Sequence, residues 1–320
     1  MKISIIIPVY NVEPYIADCL QSVMRQTYQG PLECILVDDC GTDHSMEIAE
    51  KLVAEYDGQI EFRIIHHEHN RGLSAARNTG TNAATGDYVF YLDSDDFINA
   101  QTIDTLYDAF SLYHNIGFTS ILPYSYPTGA KTFLEKWKHE GNEIKVINYD
   151  NFNISFLRQD VCHTAWGKLF PVELIKTTPF KEGRNNEDTR FYFDLARIIE
   201  QKQLCIVELP NEFYAYRDTP NSICSNKKFH LEELRNLVDI KKEAWTEDVR
   251  QFAAQKAFLV EYNYLIQNGI KETPLWLFDD FKKYSVKEVW NYYHSKKTCI
   301  KFAILKTPLL RKLYINLYQE

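Results

Sequence analysis

The chain has 320 residues, 45% of them hydrophobic and 25% charged, and its formal net charge is −8. This composition is ordinary for a globular protein, and the acidic balance argues against nucleic acid as its main partner. The seven cysteines form no C-x-x-C pair, so we expect reduced thiols and a cytoplasmic protein.

Neither a signal peptide nor a membrane span is predicted. The N-terminal stretch MKISIIIPVYN has about six apolar residues before polar ones, which is too few for a signal peptide. No segment approaches the roughly 18 apolar residues that a membrane-spanning helix needs.

The first part of the chain alternates strand and helix patterns. Strands are predicted over 3–9, 33–39, 61–67 and 87–92, and helices over 13–26, 43–56 and 74–85. This alternation predicts an α/β fold with a parallel, Rossmann-like sheet flanked by helices. The segment 120–215 is mixed, and from about residue 228 the pattern is helical.

Polar residues follow three of the predicted strands. Tyr10 and Asn11 follow the first, Asp38 and Asp39 end the second, and three aspartates follow the fourth within DYVFYLDSDDF (87–97). Ligands of such sheets bind beyond the carboxyl ends of the strands, so we expect these turns to converge on one crevice.

The chemistry of these turns indicates a nucleotide site of a particular kind. The chain has no G-x-G-x-x-G after its first strand and no P-loop, which excludes dinucleotide and P-loop sites. Tyr10 offers a ring face to a base, and Asp39 offers an acceptor to the N3–H of uracil. Asp93 and Asp95 provide the hard oxygen atoms that suit Mg²⁺ or Mn²⁺ bound to a diphosphate. The crowded aspartates therefore predict a divalent cation among them.

Several motifs resemble family 2 glycosyltransferases of the GT-A fold. SIIIPVYNVEPYIADCLQSVMRQT, ILVDDCGTDHS and NRGLSAARNTGTNAATGDYVFYLDSDD resemble the donor half of that family. AWGKLF, NEDTRFYFDL and YAYRDTPNSI resemble the acceptor half of bacterial members that build capsular or lipopolysaccharide sugars. One departure is DDCGTD, where Cys40 stands for the usual glycine; we expect the turn to survive with Gly41 as a shifted glycine.

The resemblance implies a domain over residues 1–225, with a donor half to about 120 and an acceptor half beyond it, and a helical region over 226–320. It also implies inverting transfer of a sugar from a nucleotide-sugar, usually a UDP-sugar, to a saccharide in bacterial surface polysaccharide synthesis. The acceptor is free or lipid-linked, and Mn²⁺ or Mg²⁺ is the cofactor. The donor-side candidates are Pro8, Tyr10, Asp39, Arg71, Asp93 and Ser94, with Asp95 as the metal ligand.

The acceptor half should supply the general base. Glu187 and Asp188 open a helix about 100° apart, so only one faces the sugar squarely, and by resemblance that is Asp188. Trp166 is a candidate for stacking on the acceptor or for the core, and Lys168 for binding phosphate. Arg77, like Arg71, flanks the donor loop and either reaches phosphate or stabilises the loop.

Two other functions compete with this one. A sugar-nucleotide pyrophosphorylase would need a glycine-rich basic loop after the first strand, and PVYNVEPY is not such a loop. A non-catalytic sugar- or nucleotide-binding module would be expected to lack an acceptor-side base. HHEH (66–69) looks like a metal cluster but has no spaced partner, so no zinc site is predicted.

The C-terminal end differs in charge from the rest of the chain. Residues 282–320 contain nine Lys and Arg but two Asp and Glu. Four leucines share one helical face, and three basic residues lie among them: Leu309, Leu310, Leu313 and Leu317, with Lys306, Arg311 and Lys312. This pattern indicates peripheral binding to an anionic membrane; the alternative is that the helix packs on the protein body.

Overall fold

The structure, a computed structural model, describes residues 1–126, 143–149, 163–184, 186–219, 227–246 and 249–250, and then residues 253, 257, 260, 286–287, 299–300, 302–304 and 307. The chain divides into two compact units, residues 1–222 and 223–320.

The first unit alternates strands and helices. The strands are β1 (Ile3–Val9), β2 (Leu32–Asp38), β3 (Glu61–His66), β4 (Tyr88–Tyr91), β5 (Phe97–Ile98), β6 (Ile116–Ser120), β7 (Pro123–Tyr126), β8 (Lys145–Ile147), β9 (Lys168–Pro171), β10 (Cys205–Glu208) and β11 (Tyr214–Arg217). The helices are α1 (Ile16–Met24), α2 (Ser45–Glu55), α3 (Leu73–Ala83), α4 (Thr102–Leu112), α5 (Val172–Lys176) and α6 (Glu187–Lys202). The seven elements predicted over residues 3–92 are therefore confirmed, with boundaries that differ by a few residues.

The larger sheet has eight strands in the order β3-β2-β1-β4-β9-β6-β10-β8. Its first four strands are parallel, as are β6 and β10, whereas β9 pairs antiparallel with both β4 and β6. The α/β prediction with a mostly parallel sheet is confirmed. The chain order β1, β2, β3 proceeds in one direction along the sheet, and β4 then joins the other side of β1. This reversal is the position at which doubly wound sheets bind ligands.

The central strand β1 is completely buried, because helices cover both of its faces. Ile5 and Ile7 belong to a core cluster that includes Ile16 and Leu20 of α1. Ile6, on the opposite face, meets α3 at Gly80, where an added Cβ atom would come within 2.4 Å of the Ile6 side chain. The glycine therefore lets α3 pack closely on the sheet. This close packing sets the positions that the side chains of α3 reach.

A smaller sheet of three strands, in the order β5-β11-β7, lies beyond the end of β4. Tyr214 and Ala215 of β11 pair antiparallel with Ile98 and Phe97 of β5. Because β5 begins directly after the aspartates that follow β4, this pairing brings the β11 side chains next to those aspartates.

In the second unit, helix α7 (Lys227–Glu243) lies at the first of the helical segments predicted from about residue 228. Its residues Leu234, Leu237 and Ile240 are buried, which gives the helix one apolar face. Within the described part of the chain, no helix has the length and apolarity needed to cross a membrane. The leucines and basic residues of the predicted membrane-binding tail lie outside the described residues.

Candidate active site

The turns predicted to converge lie at neighbouring strand ends. In the sheet, β1 pairs with β2 on one side and with β4 on the other, so the residues after Val9, Asp38 and Tyr91 leave the sheet at the same edge. The backbone N–H of Asp39 donates to the carbonyl of Val9 at 3.0 Å and joins the first two turns directly.

Asp39 is buried, and neighbouring donors surround its carboxylate. Its residue exposure is 3%. The backbone N–H groups of Arg71 and Gly72 donate to its two oxygen atoms at 2.8 Å each, and Nδ1 of His67 lies 2.7 Å from one of them. The carboxylate thus holds the loop that leads into α3. Sequence reasoning predicted a base-reading acceptor here and did not foresee this loop-holding role.

The turn that follows Asp39 departs from the expected use of glycine. Cys40, rather than Gly41, takes the left-handed conformation, with φ of 58°. A Cβ atom on Gly41 would lie 3.0 Å from the backbone nitrogen of Asn11, so this glycine serves a close approach between the turns. The turn survives, and Gly41 serves it through this close approach rather than through a left-handed conformation.

The other donor-side candidates differ in exposure. The Tyr10 ring is 47% exposed and accessible for stacking, whereas Ser94 is 6% exposed. Pro8 is buried inside β1, where its missing N–H faces the side on which β4 has already ended. Arg71 pairs with Glu182 at 3.1 Å, and both side chains are at least 40% exposed, so this arginine can exchange partners with solvent or a ligand.

Arg77 is the centre of a buried group of charges. Its guanidinium, 1% exposed, donates from Nη2 to Asp93 Oδ1 at 2.7 Å and from Nη1 to Glu187 Oε1 at 2.7 Å. The same Nη1 atom lies 3.3 Å from Asp188 Oδ1. Burial opposes the charge of Arg77, but the carboxylates of Asp93, Asp188 and Glu187 outweigh it and raise its pKa. Arg77 therefore supports this carboxylate cluster, and its buried guanidinium is not open to a phosphate group from solvent.

The aspartates after β4 experience one another's charge. Burial, followed by the charge of Asp93, raises the pKa of Asp95 to about 6. Asp96 is more deeply buried, and burial together with Asp95 and Asp93 raises its pKa well above the usual range. Tyr214 donates its hydroxyl to Asp96 at 2.9 Å, and the N–H of Arg217 donates to the same carboxylate at 2.8 Å. Asp96 therefore anchors β11, while Asp95 keeps an ionisable carboxylate.

Part of the positive charge at this corner comes from a second arginine. The Arg217 guanidinium donates from Nε to the carbonyl of Asp95 at 2.9 Å and from Nη2 to Asp18 at 3.0 Å. It also lies over the rings of Tyr15 and Phe97, at 5.0 and 5.3 Å from their centroids. The aspartates alone predicted a divalent cation as the balancing charge, and the contribution of Arg217 was not predicted. The motif YAYR contained the only signal, and its meaning depends on the pairing of β11 with β5.

Asp188 has the properties of a group that exchanges a proton near neutral pH. Its side chain is 19% exposed at the start of α6. Burial, followed by the negative charges of Glu187 and Asp93, raises its pKa to about 7, while Arg77 and the backbone N–H of Ala165 act in the opposite direction. Glu187 is only 9% exposed and bonds Arg77 more closely, so the two neighbours differ in their surroundings.

Two acceptor-side candidates do not present their side chains to a crevice. Trp166 is 7% exposed and stacks on Tyr214, with ring centroids 4.2 Å apart, so it belongs to the core. Lys168 is 1% exposed, and its Nζ donates to the carbonyl of Thr164 at 2.7 Å and to that of Trp166 at 3.3 Å. The stacking role of Trp166 and the phosphate role of Lys168 are corrected accordingly: both order the segment before β9.

Two histidines of the run HHEH, at the end of β3, contact aspartates at the end of β2. His66 lies 2.9 Å from Asp38, and His67 bridges Asp39 and Thr79. Over the described residues, no group of three or more His, Cys, Asp or Glu side chains is arranged to hold a metal ion by itself. A metal at Asp95 would accordingly need phosphate and water as its other ligands, which is the usual arrangement for Mg²⁺ in nucleotide sites.

Comparisons with known proteins agree with the described fold and motifs. Residues 4–170 match the sequence model described as Glycosyl transferase family 2. Glycosyltransferase GlyA of Streptococcus pneumoniae is 28% identical over 315 residues, which cover 94% of this chain but only 44% of GlyA. The poly(ribitol-phosphate) beta-N-acetylglucosaminyltransferase TarS of Staphylococcus aureus is 37% identical over 105 residues, 32% of this chain and 18% of TarS.

Solved structures share the fold over nearly the whole chain. TarS 1–349 in complex with UDP-GlcNAc has a TM-score of 0.67 at 20% identity, covering 100% of this chain and 93% of that chain. The mannosyltransferase PcManGT from Pyrobaculum calidifontis, in complex with GDP-Man and Mn²⁺, has a TM-score of 0.59 at 14% identity, covering 99% and 87%. At these identities the similarity concerns the fold, and it confirms the prediction of a GT-A α/β architecture.

Proposed function

Because the chain belongs to glycosyl transferase family 2, we propose that it transfers a hexosyl or N-acetylhexosaminyl group, with inversion, from a nucleotide-sugar to a saccharide acceptor. The observation that carries the proposal is the buried Arg77, which joins Asp93 at the end of β4 to the carboxylates that open α6. A donor-side aspartate and a carboxylate with a pKa of about 7 thereby face one region.

The donor is proposed to be a UDP-sugar held at the three adjacent turns. The exposed ring of Tyr10 would stack on the base, and Asp39 would accept from its N3–H while holding the Arg71–Gly72 backbone in position. Arg71 would exchange Glu182 for phosphate, since both partners are exposed. Pro8, Asp93 and Ser94 complete the donor side through their places at or beside the strand ends.

The cofactor is proposed to be Mn²⁺ or Mg²⁺, with Asp95 as its protein ligand. The fit rests on the donor set: hard carboxylate oxygen atoms, and a negative charge at Asp95 that its neighbours disfavour unless a cation is near. When bound, such an ion neutralises charge on the leaving diphosphate.

Asp188 is proposed to be the general base. Its carboxylate would take the proton from the acceptor hydroxyl as that oxygen attacks the anomeric carbon. The bond from this carbon to the diphosphate oxygen breaks on the opposite face, and UDP leaves with its electron pair. A pKa of about 7 suits a base that works near neutral pH, because a large fraction is deprotonated while the group stays basic enough to accept a proton. Glu187, tied to Arg77, would not serve as a second base.

The setting is proposed to be bacterial surface polysaccharide synthesis in the cytoplasm, with a free or lipid-linked saccharide as acceptor. The name of TarS, which acts on poly(ribitol-phosphate), supports this class. The domains are proposed to be a donor half to about residue 120, an acceptor half to 225 and a helical region over 226–320. The basic tail of that region is proposed to bind an anionic membrane.

The test is release of UDP from a panel of UDP-sugars in the presence of Mn²⁺. We expect one of these sugars to give UDP, by transfer to an added saccharide or slowly to water, and the Asp188→Asn variant to release far less. A pyrophosphorylase would release a nucleoside triphosphate, and only when pyrophosphate is added. A binding module would release nothing. Either of those results would replace the proposal.

A further inference from the structure

The buried guanidinium of Arg77 connects two halves of the first unit. Arg77 lies on α3, in contact with Asp93 after β4 and with Glu187 and Asp188 at the start of α6. The next residue of α3, Asn78, makes a second connection, because its side-chain amide donates to the carbonyl of Phe180 at 2.8 Å and accepts from the N–H of Phe180 at 2.9 Å. Helix α3 therefore contacts both the donor half and the acceptor half.

The charges around Arg77 are not balanced as in a network that serves stability alone. Three carboxylates share one guanidinium, and Arg77 Nε is buried without a hydrogen-bond partner among the described residues. Buried ion pairs repay their desolvation only when the geometry is good and every polar atom is satisfied. An unbalanced and incompletely bonded cluster is a costly way to join α3 to α6, which indicates that its arrangement serves the site.

The two bonds from Nη1 assign different roles to the neighbouring carboxylates. Glu187 is bonded at 2.7 Å and Asp188 at 3.3 Å, so Glu187 is the tighter partner. Asp188 also accepts from the backbone N–H of Ala165. Among the described residues, the largest influences on Asp188 come from Glu187 on its own helix, Arg77 on α3, Asp93 after β4 and the Ala165 N–H before β9.

We propose that Arg77 is a positioning residue for the acceptor-side base, with Glu187 as the residue that holds the guanidinium so that Asp188 is contacted but not neutralised. The proposal rests on the function proposed above, in which Asp188 takes the proton. If the guanidinium of Arg77 shifted from Glu187 to Asp188, the closer positive charge would make Asp188 a poorer base. If Arg77 were lost, Asp188 would be repelled by Glu187 and Asp93, and its side chain would no longer be held in one orientation. Arg77 acts through Asp188 and does not touch the substrate.

The proposal predicts opposite changes from two substitutions in one cluster. Glu187→Gln removes a negative neighbour and frees Arg77 to bond Asp188, so the pKa of Asp188 should fall by about one unit. Arg77→Met removes the positive neighbour, so the pKa of Asp188 should rise by about one unit. Arg77→Lys keeps the charge without the fork and should bring the value back toward wild type. A role in stability alone would change the free energy of unfolding of these variants without a parallel shift in the pH–rate profile.

The direct measurement is ¹³C NMR of protein with labelled aspartate carboxyl groups, titrated without donor or metal. The Asp188 signal is the one absent from Asp188→Asn, so its titration is read without any need for activity. Arg197→Met is the matched control, because Arg197 is an exposed arginine on the same helix α6. We expect the control to leave the Asp188 titration unchanged.

The kinetic measurement uses the UDP-sugar that gives the most UDP in the panel described above, at saturating Mn²⁺. The acid limb of the pH–rate profile should shift down in Glu187→Gln and up in Arg77→Met, in parallel with the NMR values. If Arg77→Met does not fold, Glu187→Gln alone still decides the matter. An unchanged or raised pKa of Asp188 in Glu187→Gln would overturn the positioning role. Normal turnover of Asp188→Asn, by contrast, would overturn the proposed function, whatever the NMR result.

Discussion

Buried carboxylates at two strand ends, both at the same edge of the sheet, have opposite surroundings. At the end of β2, Asp39 receives two backbone N–H groups and a histidine ring. At the end of β4, burial and the charges of neighbouring aspartates raise the pKa of Asp95 and Asp96, and the cluster continues through Arg77 to Asp188. Both groups follow parallel strands of one sheet, so the sheet alone does not explain the difference.

The difference teaches that the partners of a buried carboxylate decide its use. The donors aimed at Asp39 hold both of its oxygen atoms, so this residue fixes a loop and its carboxylate keeps one orientation. Burial, followed by negative neighbours, opposes the ionisation of Asp95 and Asp188 and raises the pKa of both, so their charged forms are held at a cost. Groups held at such a cost are available to take up a cation or a proton. This contrast predicts which substitutions harm chemistry and which harm the fold.

The largest expected effect is that of Asp188→Asn on sugar transfer. Asparagine keeps the size of the side chain but cannot accept the proton, so turnover should fall about 10²–10⁴-fold. Affinity for the UDP-sugar should stay near wild type, because the change removes a transition-state interaction. The wild-type rate should be lost as the pH falls through about 7, since the base must be deprotonated. Activity of Asp188→Asn together with an inactive Glu187→Gln would mean that the neighbours have been assigned in reverse.

A smaller but still large effect is expected for Asp95→Ala on metal-supported binding of UDP. Loss of the proposed protein ligand should weaken binding in Mn²⁺ by about tenfold or more, as measured by calorimetry. Asp96→Asn is the matched comparison, because Asp96 bonds Tyr214 and Arg217 and should affect folding more than metal dependence. If EDTA leaves the affinity of the wild-type protein for UDP unchanged, the proposed metal site is contradicted.

Asp39→Ala tests the other side of the contrast. The substitution leaves the backbone N–H groups of Arg71 and Gly72 buried without their acceptor, so the free energy of unfolding should drop by about 1–3 kcal/mol. Urea denaturation measures this loss. Asp39→Asn keeps one acceptor oxygen and should lose less. A variant as stable as wild type would show that the carboxylate does not hold the loop.

The smallest expected effect is that of Asp188→Asn on the pH dependence of the melting temperature. The Asp188 pKa of about 7 lies above the roughly 3.9 of an unfolded chain, so the folded protein retains a proton that the unfolded chain has released between these values. This contribution to stability is fully present below about pH 4 and is lost as the pH rises through about 7. Asp188→Asn stays neutral at every pH, so without donor and metal it should melt higher than wild type at pH 8.

The shift expected at pH 8 is a few degrees, on the scale of about 2–4 °C per kcal/mol for domains of 150–250 residues. The difference between the two proteins should narrow at pH 5, where Asp188 of the wild type is protonated. A lower melting temperature for Asp188→Asn at pH 8 would contradict the assignment of Asp188 as a destabilised carboxylate.

Much of the donor region could be predicted from the sequence because its signals are local. Where strand and helix patterns alternate along the chain, an apolar β-branched run such as ISIIIPV predicts a buried parallel strand. Polar residues that follow such strands leave the sheet at the same edge. The family motifs added the fold and the order of the two halves. The positions of Tyr10, Asp39 and Asp93 at adjacent strand ends follow from these facts alone.

Other residues could not be predicted because their roles depend on distant partners. Trp166 and Lys168 look like ligand-binding residues in AWGKLF, yet Tyr214 and the carbonyl groups before β9 hold them in the interior. Cys40 adopts a left-handed conformation that a sequence rule assigns to glycine. For Trp166 and Cys40, contacts with Tyr214 and with the carbonyl of His67, both distant along the chain, outweigh the local preference.

The sequence by itself determined the family, the α/β architecture and the edge of the sheet at which polar side chains meet, because hydrophobic periodicity and strand order act along neighbouring residues. Only the tertiary structure decided how those side chains share charge. Arg77 is separated by 110 residues from Glu187, and Arg217 by 122 from Asp95, so no local pattern relates them. The electrostatic character of a buried carboxylate depends on distances of a few ångströms in space, and these distances exist only after the halves have packed together.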